Sequence, residues 1–577
     1  MQRQFILAIF LCVVVIYGWQ IMYPPVKKTP PVQQAAQQVT KDPSGAQAPG
    51  AQQAQAADAA ADANAKVEAA PLVAASAEQD VPVENAFVKA VFNTRGGVLK
   101  SWRLKNYRDG DGAPLELVPQ NVPNAARPFT LDVDDATTSA TLRNALYKPD
   151  AEALTIGSEA KTLVFEYRDA AGLVARKEFT FNPAHPYMVR FLGKVTRNDA
   201  PLNHTINLGP AIGTGVVARG MSSAPASQPI FYRDRKVSRI AIGEIEKHRQ
   251  EQGSFGFVGV DDHYFLSAML PPTEQLQVNY SPELVTVPGE SHPLQFISWS
   301  LKSPSGPQPA ADFFFGPKDL DVLQSINPDL VRAIHFGIFD FLVVPLLRAL
   351  KWLDGYIGNY GWSIIALTVI INLVMFPLKH KSIVSMRKMQ ELQPQMKAIQ
   401  DRYAKLKVTD PGRQKMNEEV MALYKQHGTN PASGCVPMLL TLPVLVAFYA
   451  MLSVAIELRG APFLGWIKDL SAHDPYFVTP VLMGITMFVQ QRMSPSVADP
   501  VQAKMMMFMP LMFTGMLIWA PSGLVLYWTV SNLWAIGQQT LTNRLIGPPP
   551  QHNVRPPAER QLKNAGAGKS VLAKERK

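Results

Sequence analysis

The chain has 577 residues, of which 47% are hydrophobic and 18% charged, with 56 Lys and Arg against 46 Asp and Glu for a net charge of +10. That length allows several domains. Its two cysteines, Cys12 and Cys435, cannot build a disulfide framework, and the composition excludes collagen-like and wholly disordered chains.

Phe5 to Met22 is a charge-free run behind Arg3, long enough to span a bilayer, and Tyr23-Pro24-Pro25 follows it where a cleaved signal would carry small residues. Residues 1–23 therefore read as an uncleaved membrane anchor. Residues 24–82, rich in Ala, Gln and Pro, hold too few large apolar side chains to offset their ordering entropy and read as a flexible linker. Residues 83–325 show strand patterning. Leu163, Phe165 and Tyr167 alternate with polar residues, Asp169 to Gly172 makes a turn, and Leu173, Ala175, Lys177, Phe179 and Phe181 continue the alternation; Val88–Asn93 and Val98–Leu104 flank a Gly96-Gly97 turn. This pattern predicts a β-sandwich with one large core.

Residues 326–358 hold an amphipathic helix, expected over Phe336–Ile357, with Leu346, Leu347, Leu350, Leu353 and Ile357 on one side and Arg348, Lys351 and Asp354 as a narrow polar stripe. This suits a membrane surface. Residues 359–546 carry five apolar segments, Trp362–Leu378, Val436–Ile456, Tyr476–Val489, Met505–Ala520 and Leu524–Leu541, the last two joined tightly at Pro521-Ser522-Gly523. With the anchor, the expectation is a polytopic α-helical membrane protein of six spans. Lys379 to Gly434 has 11 Lys/Arg against five acids, and Thr542 to Lys577 has eight against two, so these two segments hold the whole positive balance. The positive-inside rule places both in the cytoplasm, with both termini, and the β-domain on the other side.

Within residues 380–428, Met389, Leu392, Met396, Ile399, Tyr403 and Leu406 repeat at 3,4 spacing, Asp410-Pro411-Gly412 restarts a helix, and Met416, Val420, Leu423 and His427 give the return face. This is a basic helical hairpin. Its Arg387, Lys388, Lys397, Arg402, Lys405, Lys407, Arg413 and Lys415, with the basic tail 547–577, either form a solvated face or meet an anionic partner, lipid headgroups or RNA phosphate.

The search for chemistry is mostly negative. No two histidines lie within four residues, and neither a Walker loop nor G-x-S-x-G is present, so no metal, cofactor or covalent catalysis is expected. No charged residue falls inside the five apolar segments, which disfavours an ion-coupled transporter. Uncharged polar residues do: Thr368 and Asn372, Thr486 and Gln490, and Ser531, Asn532, Gln538 and Gln539. They either bond helix to helix or line a polar groove.

The motifs Asn430-Pro-Ala-Ser-Gly-Cys435-Val-Pro437, Glu457-Leu-Arg-Gly-Ala-Pro462-Phe, Asp469-Leu-Ser-Ala-His-Asp-Pro475-Tyr, Met483-Gly-Ile-Thr-Met-Phe488, Phe508-Met-Pro510 and above all Pro521-Ser-Gly-Leu-Val-Leu-Tyr527-Trp-Thr-Val-Ser-Asn532 resemble those of the YidC membrane protein insertases of Gram-negative bacteria, as does Asn93-Thr-Arg-Gly-Gly97. The resemblance implies a periplasmic β-supersandwich, related in fold to sugar-binding enzymes, beside a five-span insertase core in the inner membrane. It implies a non-enzymatic insertase and chaperone that receives nascent membrane proteins and releases them into lipid, alone or with the Sec translocon, with the ribosome and the signal recognition particle receptor as cytoplasmic partners. Thr368, Asn372, Pro437, Tyr527 and Trp528 match the family's groove and substrate-contacting positions. Two departures stand out: Asn372 occupies the place of the family's usual groove arginine, and Trp528 that of a frequent second tyrosine.

Overall fold

The computed structural model describes residues 70–546, apart from 110–111, 121–125, 211–226, 272–274, 286–293, 404–409, 411, 429–435 and 494–499. The expected anchor, most of the linker, both cysteines, Lys405, Lys407 and the basic tail lie outside the described residues.

The β-rich part forms an eleven-stranded and two five-stranded sheets, antiparallel save for the pairing of Val83 and Glu84 with Leu154 and Thr155. The alternation seen in the sequence explains its centre. Strands Lys161–Asp169 and Leu173–Phe181 pair with Arg168 opposite Val174, and their alternating residues are buried. The turn between them closes on Asp169, whose Oδ1 accepts the N–H groups of Ala171 and Leu173, while Gly172 takes a φ of +79°. Phe92, Phe129, Phe179 and Phe191 fill the core, with ring centroids 4.6 Å apart for Phe92 and Phe179 and 4.8 Å for Phe129 and Phe191. The domain begins earlier than the sequence reading has it. Strand Pro71–Val73 and the first three residues of strand Asp80–Glu84 fall in the stretch assigned to the linker, the first because it pairs with Arg168 and Asp169, the second because Val81 and Val83 alternate into the core. One helix, α1 (Ala136–Asn144), is capped by Asp135, and a second, α2 (Leu320–Ile326), by Asp319.

The helical part starts with α3 (Asp340–Ile357). It begins at Asp340 instead of Phe336, because Gly337 adopts a φ of +77° and breaks the approach. Val343, Leu347 and Leu350 form its buried face, while Phe341, Trp352 and Tyr356 point outward. The polar stripe is not solvated throughout: Lys351 is folded inward to carboxylates. Five apolar helices occupy the expected positions with shifted ends: α4 (Tyr360–Glu391), and, beyond the hairpin helices α5 (Gln393–Arg402) and α6 (Gly412–Gln426), α7 (Val436–Val454), α8 (Val478–Met493), α9 (Pro500–Leu517) and α10 (Ser522–Ile546). Among the described residues only the α4 stretch Tyr360–Met389 is by itself long and apolar enough to cross a bilayer. The hairpin closes on Leu392, Met396, Ile399, Val420 and Tyr424, with Met389, Tyr403, Met416 and Leu423 at its edge. Tyr424 takes the place the sequence reading gave to His427, which lies exposed with its ring against the Leu423 carbonyl, because the return helix ends at Gln426.

One polar group ties the β-core together. Lys177 has no exposed surface, and its Nζ donates to the carbonyls of Gly96 at 2.6 Å, Phe129 at 2.7 Å and Gly97 at 3.3 Å, joining the two hairpins read from the sequence. Burial pushes its ammonium down to about 7, with the Asp132 carboxylate pulling back. The folded pKa lies below the unfolded one, so the folded state binds fewer protons between about 7 and 10.4 and the β-domain should gain stability as pH rises through that window. Lys177→Met should destabilise it by about 2–4 kcal/mol, through the stranded carbonyls, and should flatten this pH response. Denaturant unfolding followed by β-sheet circular dichroism at pH 6, 8 and 10 checks both.

Candidate functional site

A cavity of about 290 Å³ lies among α4, α7, α8 and α10. Each helix contributes residues at helical spacing: Ile371, Asn372, Met375 and Lys379 from α4, Val444 and Leu445 from α7, Met487, Gln490 and Gln491 from α8, and Tyr527, Trp528, Ser531, Asn532 and Ala535 from α10. The lining mixes amide, hydroxyl and ammonium groups with apolar side chains and contains no carboxylate.

The sequence-derived candidates divide in two. Asn372, Gln490, Tyr527, Trp528, Ser531 and Asn532 line the cavity. Thr368, Thr486 and Gln538 are not among its lining residues: all three are buried and hydrogen-bonded within the helix packing. Thr368 Oγ1 donates to the Ile364 carbonyl at 2.6 Å, Thr486 Oγ1 to the Met483 carbonyl at 2.8 Å, and Gln538 Nε2 to the Phe376 carbonyl at 3.4 Å. A hydroxyl on a helix can satisfy itself on the preceding turn, which removes it from the lining. Asn532 serves both roles, since its Nδ2 also donates to Thr486 Oγ1 at 3.2 Å and so joins α10 to α8. Tyr527 stacks on Phe448 of α7 at 4.2 Å, and Trp528 leans on Phe513 of α9. Pro437 lies in α7, its side chain outside the described residues.

Lys379 is the residue that sequence reasoning missed. It falls at the edge of the apolar run and was counted with the basic segment that follows. Its Nζ donates to Asn372 Oδ1 at 2.9 Å, inside the cavity. Seven residues put the two on one helix face about 10 Å apart along the axis, and side chains on a helix lean toward its N-terminus, so the lysine reaches back to the amide. That spacing was the available signal. Asn372 thus holds a cation supplied two turns away.

The two ends of the bundle differ. At the end beside the β-domain, the Asn359 amide donates to the Pro462 carbonyl at 3.1 Å, Ser522 Oγ and N–H to the Ala472 carbonyl, and Asp474 accepts from Trp466 Nε1 at 2.9 Å and the Thr479 N–H at 2.7 Å. A Cβ on Gly361 would strike the Phe463 ring at 2.0 Å, so α4 seats directly on that loop. At the other end the hairpin projects. Arg387, read as facing a partner, is buried there and donates to Asn543 Oδ1 of α10, and Arg402 pairs with Glu419 at 3.0 Å; Lys388, Lys397 and Lys415 are exposed, and the Arg413 side chain lies outside the described residues. An arginine on the face toward α10 is drawn into packing by the nearest amide, which the charge pattern alone could not reveal.

Residues 352–548 match the family model described as 60Kd inner membrane protein, and residues 80–349 that of the YidC periplasmic domain. A membrane protein insertase YidC of Geobacter metallireducens is 36% identical over 564 residues, covering 95% of this chain and 99% of the relative; that of Cupriavidus metallidurans is 37% identical over 495 residues, covering 83% and 86%. The chain belongs to the YidC family of membrane protein insertases. It is a non-enzymatic inner-membrane insertase that acts on nascent membrane proteins and carries a periplasmic β-sandwich domain. A crystal structure described as active YidC insertase with its first transmembrane domain resolved superimposes with a TM-score of 0.34 at 18% identity, covering 82% of this chain and 94% of that one.

The geometry separates lining from packing by solvent access. In a background lacking Cys12 and Cys435, single cysteines at Gln490 and Ser531 should react with a polar thiol reagent added from the hairpin side, and one at Thr368 should not. Mass spectrometry of the labelled protein in liposomes measures this, and equal reactivity at all three would contradict the division.

Proposed function

We propose that the cavity is a groove in which the hydrophilic part of a nascent membrane protein is wetted on its way across, while the apolar part leaves sideways into lipid. The observation that carries this reading is the lining itself: Asn372, Lys379, Gln490, Gln491, Ser531 and Asn532 gather polar groups between helices that otherwise present apolar surface. Polar groups at membrane depth lower the cost of bringing a polar peptide into hydrocarbon. The tied loops beside the β-domain and the projecting hairpin support a groove closed on the periplasmic side and open toward the cytoplasm. The charge balance and the five apolar helices support six spans with both termini cytoplasmic, the anchor at residues 1–23 being the first. On this reading the chain also acts as a chaperone for its substrates, alone or beside the Sec translocon. Exposed Lys388, Lys397 and Lys415, with the basic tail, supply cations for ribosomal RNA phosphate, and the signal recognition particle receptor is the other cytoplasmic partner.

Reconstitution into liposomes with a single-span substrate made during translation tests the groove, protease protection reporting insertion. Lys379→Met should lower insertion severalfold, Lys379→Arg should retain most of it, and Asn372→Ala should fall between, because it frees the lysine without removing it. Unchanged insertion by a Lys379→Met/Asn372→Ala double variant would assign these residues to packing alone. Deleting Met389 to Gln426 should abolish insertion coupled to translation and co-sedimentation with ribosomes while the β-domain stays folded by circular dichroism. Normal ribosome binding by that variant would remove the hairpin from the reading.

A further inference from the structure

The β-domain meets the helical core at an ion cluster that the groove does not use. Lys351 of α3 places its Nζ 2.5 Å from Asp321 Oδ2, 3.3 Å from Asp319 Oδ2 and 3.3 Å from Glu457 Oε1. Asp319 and Asp321 belong to the β-domain, Asp319 also capping α2 through the N–H groups of Asp321 and Val322. Glu457 sits on the short turn Ile456–Leu458 that follows α7, a wall of the cavity. Beside it, the Arg459 guanidinium lies over the rings of Phe265 at 5.2 Å and Tyr264 at 5.9 Å, both on the β-domain. The turn after α7 is thus held to the β-domain on both sides. The balance of charge is uneven: one ammonium faces three carboxylates, and the Glu457 side chain is only 6% exposed.

We propose that Lys351, Asp319, Asp321 and Glu457 form a proton-sensitive latch that seats the end of α7 on the β-domain and tightens as the periplasmic solution is acidified. Lys351 and Glu457 are positioning residues: they act on the cavity through α7. This inference goes beyond the groove reading and does not depend on it.

The groups facing Glu457 are Asp319 and Asp321 from the β-domain, Lys351 from α3, Arg459 from its own loop, Tyr107 from the strand Val98–Arg108, and Tyr360 at the start of α4. Tyr187 and Asp354 stand behind them, against Asp319 and Tyr360. The tyrosines stay neutral below about pH 10. Burial, and then repulsion from Asp319, push the Glu457 carboxyl above its ordinary range, with Lys351 pulling back. The seated state therefore holds the proton more tightly than the loosened one. Seating strengthens as pH falls through the raised value, and the gain ends near the ordinary glutamate value of about 4.3.

Hydrogen exchange on the full chain in liposomes, without substrate, reads the latch directly. The reporters are the Leu458 and Arg459 amides, which donate to the Ala455 and Ile456 carbonyls. After correction for intrinsic exchange, wild-type protection should rise between pH 8 and 5, by up to about tenfold per pH unit at the steepest point. Glu457→Gln should be highly protected and flat. Lys351→Met should start lower at pH 8 and climb more steeply, because three carboxylates have lost their cation, and Lys351→Arg should restore the wild-type profile. A flat wild-type profile, or Glu457→Gln following the wild-type slope, would overturn the proposal. Because no substrate is present, this result stands apart from any failure of the insertion assay.

Discussion

A polar group surrounded by apolar matter must find its partner inside the protein, and the placement of nearly every polar side chain in the helical part follows from that constraint. Hydroxyls turn back on their own helices, as Thr368 does on Ile364 and Thr529 on Val525. Longer amides reach across, as Asn532 does to Thr486 and Gln538 to Phe376. Other polar side chains collect at the cavity, where Gln490, Gln491 and Lys379 stand among Met375, Met487 and Trp528.

The same constraint operates in the β-domain, with a different outcome. Among the described residues no carboxylate bonds the buried Lys177, and the carbonyls of one turn, Gly96 and Gly97, and of Phe129 at a strand entrance receive it. There the polar group organises a core and leaves no cavity. At the junction of the two parts the solution is different again: Lys351 gathers two carboxylates from the start of α2 and one from the turn after α7, so a single cation holds the β-domain, α3 and the loop after α7 in register. Three lysines, Lys177 buried and Lys351 and Lys379 half-buried, thus sit in three different settings.

Much of this was legible in the sequence. Period-two alternation gave the hairpin Lys161–Phe181, seven-residue spacing gave the α5–α6 seam, and long apolar runs gave the five helices, because each of these signals is local. The cavity was half legible. Uncharged polar residues on apolar helices pointed to it, but residue type cannot say whether an amide faces a void or a neighbouring helix, and Thr368 and Asn372, one turn apart, have opposite fates. Lys379 was misread because a charge at the end of an apolar run counts as loop in any charge tally, although its spacing from Asn372 put it on the lining face. Strand Pro71–Val73 was hidden because a three-residue strand owes its existence to its partner.

On the proposed topology, with Tyr360 at the outer edge of the hydrocarbon, the continuous run of α4 sets a length scale for the cytoplasmic side. Its 32 residues rise roughly 48 Å, against about 30 Å of hydrocarbon. Measured from Tyr360, Lys379 falls at roughly 28 Å, the depth at which hydrocarbon gives way to headgroups. The remaining turns carry the base of the α5–α6 hairpin about 18 Å beyond that plane, more than twice the Debye length of about 8 Å at physiological salt. On that topology the charge of the lipid surface is screened at that height, and the hairpin's exposed lysines would answer to phosphate brought to them from solution. The helix would then work as a standoff between the lysine at the cavity and the lysines of the hairpin.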